Sequence, residues 1–201
     1  PRRALGATLV WSDAFMQAQV HDFTATRGQT VHRLLFQLMA EGAPVHATVD
    51  IRDLGHATGT ILVLNHHLLP ADERAAVLDY RGGPVVLIGR DTSDLPAAAL
   101  RLQDSSGPGS LACLVYGAQL EDPPVVEPWQ PPALPEDLMG MDEPLGYWDH
   151  FLFRPVSPGF VRASAQVIAR VSDAPRVVEQ ADLVKVMATE EGDGRWRVAL
   201  K

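Results

Sequence analysis

The sequence predicts an open, mostly parallel α/β sheet with helices on both faces, and three observations carry that expectation. Thr60 to Asn65 and Pro84 to Gly89 are continuous apolar runs, the pattern of strands buried on both faces of a parallel sheet. The residues between them read as one short helix. Pro70 suits a first helical position, Asp72 and Glu73 fall in the first turn, Arg81 in the last, and Gly82-Gly83 supplies a left-handed stop. By contrast, Val45 to Ile51 alternates strictly between apolar and polar, as a half-exposed edge strand does.

Taken in chain order, Leu5 to Trp11 reads as the first central strand, ending at Ser12-Asp13. The polar stretch that follows, as far as Arg27, reads as a long loop at the carboxyl edge of the sheet, where open α/β folds bind ligands. From Gln29 to Glu41 the apolar residues Val31, Leu34, Leu35, Leu38 and Met39 share one helix face, and Gly42 with Pro44 ends the helix. The edge strand Val45 to Ile51 comes next. With the second strand at the edge and the first, third and fourth buried, the order 2-1-3-4-5 follows, as in flavodoxin-like sheets. Asp94 to Leu102 reads as a short helix, Ser105 to Gly109 as a turn, and Ser110 to Gly117 as the fifth strand.

Composition changes after that strand. Seven prolines between Ala118 and His150 forbid a regular helix or central strand. Trp129, Met139, Met141, Tyr147 and Trp148 are too apolar for a solvated linker, so this connector is expected to wrap the domain or dock on a neighbour. Ser157-Pro158 starts a helix whose buried stripe is Phe160, Val161, Ile168 and Val171, ending near Ser172. Leu183 to Met187, a turn over Glu190 to Gly194, and then Trp196, Val198 and Leu200 on one face read as a hairpin, either extending the sheet or beginning a small β domain. Three regions result: an α/β domain over residues 1–117, a Pro-rich connector over 118–156, and a helix with hairpin over 157–201.

The chain has 201 residues, 46% of them hydrophobic, enough for one full core. No apolar run is long enough for a membrane helix and no signal-peptide core follows Pro1-Arg2-Arg3, so neither a membrane nor a secretory role is expected, and the location is read as cytoplasmic. A formal charge of −8 without clustered Lys and Arg argues against nucleic acid. Cys113, the one cysteine, lies in an apolar run and reads as a small buried hydrophobe. The absence of an initiating Met and the stop at Lys201 within a strand suggest a fragment of a longer protein.

Candidate chemistry centres on the carboxyl ends of the strands. No glycine-rich phosphate loop follows the first strand, since Trp11-Ser12-Asp13-Ala14 contains no glycine, and no cofactor is expected. Asn65-His66-His67 ends the third strand, with Asp13, Asp50, Asp53 and Asp91 candidates for the same edge. Adjacent histidines point to opposite sides of an extended chain, so joint metal ligation needs a sharp backbone turn, and no metal site is expected. The turn after the fourth strand reads Ile88-Gly89-Arg90-Asp91-Thr92-Ser93, without the serine or cysteine elbow that nucleophilic catalysis requires. Ser12 could meet a histidine in space, although nothing in the sequence marks it. The alternative is a carbohydrate or small-molecule binding module or a hydrolase with its site at the carboxyl ends of the strands, for which Asp13, Asn65, His66, Arg90 and Asp91 are the candidate ligand-binding residues.

The string ILVLNHHLLPADERAAVLDYRGGPVVLIGR resembles the corresponding unit of class I glutamine-amidotransferase-like domains, and more closely the version appended to glycoside hydrolases as the trimerisation domain of bacterial β-galactosidases. Leu64 to Leu69, Pro70 to Arg81 and Gly82-Gly83 carry the match, which extends over roughly Ala4 to Gly117. True amidotransferases hold a nucleophilic cysteine at about Gly89 or Arg90 of this chain, and neither is cysteine. The resemblance therefore implies a non-catalytic accessory or oligomerisation domain. It also implies, as partners, a separate catalytic (β/α)8 barrel in the parent chain and further copies in a homo-oligomer.

Overall fold

The computed structural model describes residues 3–26, 31–104, 111–127, 156–175, 186–192 and 194–200. The strands are β1 (Arg3–Leu5), β2 (Ala7–Trp11), β3 (Val45–Asp50), β4 (Ile61–Leu64), β5 (Val85–Gly89), β6 (Leu100–Gln103), β7 (Ala112–Tyr116), β8 (Val186–Glu191) and β9 (Arg195–Leu200). The α-helices are α1 (Asp13–Thr26), α2 (Val31–Ala40), α3 (Ala71–Leu78) and α4 (Pro158–Val171), and 3-10 turns follow β3 over Ile51–His56 and β4 over His66–Leu68. The protein is α/β. Its central sheet has six strands in the order β3-β2-β4-β5-β7-β6, and a smaller sheet runs β1-β8-β9.

β3, β2, β4 and β5 are mutually parallel, in the expected relative order, with β3 at the edge. Every residue of β4 and β5 is buried, whereas β3 is buried only at Val45. The core fills both sides of the sheet and includes α4, through Phe160, Val161, Ala163, Ala165, Val167 and Ile168. Ser157 caps that helix by accepting from the Phe160 N–H at 3.0 Å, while its own N–H donates to buried Asp104 at 2.9 Å. At the other end the Thr60 hydroxyl donates to the Val171 carbonyl at 2.5 Å, tying the helix to the entry of β4. From the connector, Leu120 and Val126 pack on the core, and Glu127 lies against Gly159, where an added Cβ would meet backbone at 2.5 Å. The remaining connector residues, 128–155, lie outside the described residues, as do the expected turn over Ser105 to Gly109 and the hairpin start at Leu183.

Several expectations require correction. The stretch after Trp11 is helix α1 rather than a loop. Ser12 accepts from the Phe15 N–H at 3.1 Å as its cap, Asp13 stands in the first turn, and neither Gly nor Pro interrupts residues 13–26. Asp94 to Leu102 is not a helix. Pro96 removes a helical donor, and Leu100 and Leu102 are buried while Arg101 and Gln103 are exposed, the period of a strand. This strand, β6, forms a hairpin with β7, so β7 enters the sheet antiparallel to β5. Gly82 and Gly83 do not provide a left-handed stop. Side chains there would strike Tyr80 and Ala57 in one case and the Gly59 backbone in the other, so the pair is required by close approach. Pro70 is the residue before α3 rather than its first helical position.

The first strand is divided. Gly6, at φ +126, bends the chain so that β1 leaves the main sheet and pairs antiparallel with β8. A Cβ at Gly6 would approach the Pro44 carbonyl oxygen to 2.4 Å, the same oxygen that accepts the Ala7 N–H at 2.8 Å. The C-terminal hairpin is thereby stitched to the α/β core through one extended segment.

Candidate functional site

The carboxyl ends of β2, β4 and β5 meet at Ser12, Asn65-His66-His67 and Gly89-Arg90. Asn65 adopts a left-handed conformation, φ 52 and ψ 42, which asparagine tolerates better than most residues. Its N–H donates to the Ile88 carbonyl at 2.6 Å, holding this turn against β5. The chain then enters a 3-10 turn, and this bend removes the alternation that would separate neighbouring side chains. The rings of His66 and His67 lie 6.1 Å apart at 90°.

Both imidazoles close over Gly89. A Cβ built there would lie 2.7 Å from His66 Nδ1 and 2.8 Å from His67 Nδ1, well inside van der Waals contact. The Arg90 N–H donates to His67 Nδ1 at 3.1 Å, which makes that nitrogen an acceptor and places the proton of the neutral ring on Nε2. His66 is 1% exposed, and among the described residues neither of its ring nitrogens has a hydrogen-bond partner. Burial pushes its pKa down to about 4. The Ile88 backbone partly opposes that shift without closing a bond of good geometry, and Arg74 reinforces it. The ring is neutral at physiological pH and sealed from solvent.

Neighbouring groups are committed to one another. Buried Ser12 donates its hydroxyl proton to Glu73 at 2.5 Å, so its partner is a carboxylate from the first turn of α3 rather than a histidine. Arg74 pairs with Asp94 at 2.6 Å and also reaches the Leu69 carbonyl at 3.3 Å. Asp91 pairs with Arg101 at 2.8 Å, and exposed Asp13 stands 3.7 Å from Arg52. Arg52 forks onto Asp50 at 2.8 and 2.5 Å and holds that carboxylate down at about 2. Of the five predicted ligand-binding residues, the structure brings Asn65, His66 and Arg90 together, while Asp13 and Asp91 are held by different arginines. Gly89, His67 and Glu73 belong to the junction as well, although they are not among those five. The left-handed Asn65 turn that unites them has no marker in the sequence beyond the residue type.

An open depression of about 240 Å³ lies elsewhere among the described residues, on the sheet face beside the edge strand, lined by Thr8, Ala47, Val49, Asp53, His56 and Ala57 among others. Cys113 is buried, and burial pushes its thiol up to about 12. Among the described residues no group of three or more His, Cys, Asp or Glu converges to hold a metal ion, and no helix is long and apolar enough to cross a membrane. No protein-family model, curated protein or solved structure matches the chain.

Proposed function

We propose that this chain is a non-catalytic, amidotransferase-like accessory domain that serves assembly, working beside a separate catalytic (β/α)8 barrel of a larger glycoside hydrolase. The observation that carries the non-catalytic part is the occupation of the space over Gly89 by two imidazoles. A nucleophile needs an exposed side chain at the strand-to-helix turn with a base beside it. Here position 89 has no room for a side chain. The His66 imidazole is buried and neutral, the Nδ1 of His67 is occupied by the Arg90 N–H, and the Ser12 hydroxyl is bound to Glu73.

Assembly is the role that remains for the surfaces, because large apolar side chains stand exposed on α1, α2 and β9, among them Phe36 at 68% and Leu200 at 70%. The barrel partner rests on the resemblance of Leu64 to Gly83 alone. Incubation of the chain with glutamine and with a panel of chromogenic galactosides is expected to release neither ammonia nor phenolate above the blank. Turnover that survives repurification and is abolished by Ser12→Ala or His66→Ala would overturn this reading.

A further inference from the structure

We infer that the depression beside β3 binds a small neutral polyhydroxy compound of monosaccharide size, held over Ala47 and Val49 by Asp53, His56 and the hydroxyls of Thr8 and Thr58. The inference goes beyond the assembly role and does not depend on it.

The chain leaves this face of the sheet open. Parallel strands are usually joined by a crossover of a dozen or more residues that lays a helix on the sheet. Between β3 and β4 the connection is only residues 51–60, and it holds the 3-10 turn Ile51–His56 in place of an α-helix. Ala47 and Val49 on β3, and Thr8 opposite Ala47 on β2, are therefore half-buried and floor the depression of about 240 Å³. A 3-10 helix has three residues per turn, so side chains three apart eclipse one another. Ile51 and Leu54 form the ridge that is buried in the core. Asp53 and His56 form a second ridge, and both line the depression. Thr58 completes the rim from the segment that leads into β4.

The chemistry of the rim selects the ligand. Among the described residues no side-chain hydrogen bond or ion pair engages Thr8, Asp53, His56 or Thr58. This sets Asp53 apart from Asp13, Asp50, Asp91 and Asp94, each of which stands against an arginine. Arg52, its neighbour in sequence, forks onto Asp50 instead. The lining holds neither Lys nor Arg, so an anion would meet only the repulsion of the Asp53 carboxylate. One carboxylate and one imidazole fall short of the three protein ligands of a metal site. The volume is also below that of pockets for drug-sized molecules. A fitting ligand donates to a carboxylate at one point, exchanges hydrogen bonds with neutral groups at three others, and presents C–H surface to the methyl groups of Ala47 and Val49. A sugar ring has hydroxyls around its rim and C–H groups on its faces, which meets all three requirements.

The test is titration of the intact chain, followed by amide NMR shifts, with glucose, galactose and mannose, with the acyclic polyols glycerol and sorbitol, and with putrescine as a cationic control. A monosaccharide is expected to bind in the millimolar range and to shift the amides of Thr8, Ala47, Asp53 and His56. The rigid ring loses less freedom on binding, so it should bind more tightly than the acyclic polyols. The reverse order would keep the site and assign it to an acyclic polyol. Asp53→Asn is expected to weaken binding roughly tenfold, and Ala47→Leu, which fills the floor without removing a polar group, to abolish it. Both positions are at least half-exposed, so the melting temperature should stay unchanged, and Asp91→Asn at the strand ends should leave binding as it was. No shift at these amides with any sugar or polyol overturns the inference, as does binding of putrescine alone or binding that Asp53→Asn and Ala47→Leu leave intact. A chain that is monomeric and still binds keeps this site and loses only the assembly role.

Discussion

His66 makes stability depend on pH in a direction that can be worked out in advance. Its folded pKa is about 4 against an ordinary 6.5, so the native state resists a proton that the unfolded chain accepts. The contribution of this group is fully present above the unfolded value and is lost as pH falls from 6.5 toward 4. A tenfold difference in proton affinity between the two states is worth about 1.4 kcal/mol, so lowering the solution from about pH 7 to about pH 4.5 removes roughly 2.5 kcal/mol through this ring alone. Replacement by leucine, His66→Leu, removes both the titration and the two buried nitrogens without partners. The assay is urea unfolding of both proteins at the two pH values. Carboxylates, Asp50 among them, titrate in both and cancel in the comparison. The variant is expected to lose about 2.5 kcal/mol less than the parent on acidification. Equal losses would refute the claim that His66 is sealed and neutral.

Three further substitutions probe the junctions around this site. Gly89→Ala places a methyl group 2.7 and 2.8 Å from the two imidazoles, and thermal unfolding should show a loss of about 1–3 kcal/mol from overpacking. Gly6→Ala combines a strained φ of +126 with a 2.4 Å approach to backbone. It should destabilise by about 1–3 kcal/mol and raise amide exchange in β1 and β8 ahead of β4 and β5. Ser157→Ala removes the cap of α4 and leaves the Phe160 N–H without that partner, a loss of about 1 kcal/mol by denaturant titration.

Buried strands are the most legible part of the sequence, because a residue run that is apolar on both faces has few other solutions. The runs in β4 and β5 and the alternation of β3 set the order of four strands from local pattern alone. Ser157-Pro158 and Gly42 mark helix ends for the same reason, since each residue does there what few others can. α1 is not legible because its apolar positions make no clear stripe, so the cap at Ser12 is its main signal. β6 reads as helix because alanines and leucines around Pro96 satisfy a helical spacing, while the alternation that decides the matter spans four residues. The role of Gly82-Gly83 depends on how closely β4's entry and Tyr80 approach, a long-range fact with no local trace. At the candidate site, Asn65 and His66 are legible as residues, but not that the turn at Asn65 folds both imidazoles over Gly89. That arrangement changes the meaning of the strand ends from an open site to a closed junction.

The role proposed for the chain is association and not turnover of a substrate. Light scattering of the intact chain across about a hundredfold range of concentration, near neutral pH where His66 is uncharged, tests it most directly. The mass is expected to rise to twice the monomer value or beyond and to fall back on dilution. A mass that stays at one chain throughout would contradict it.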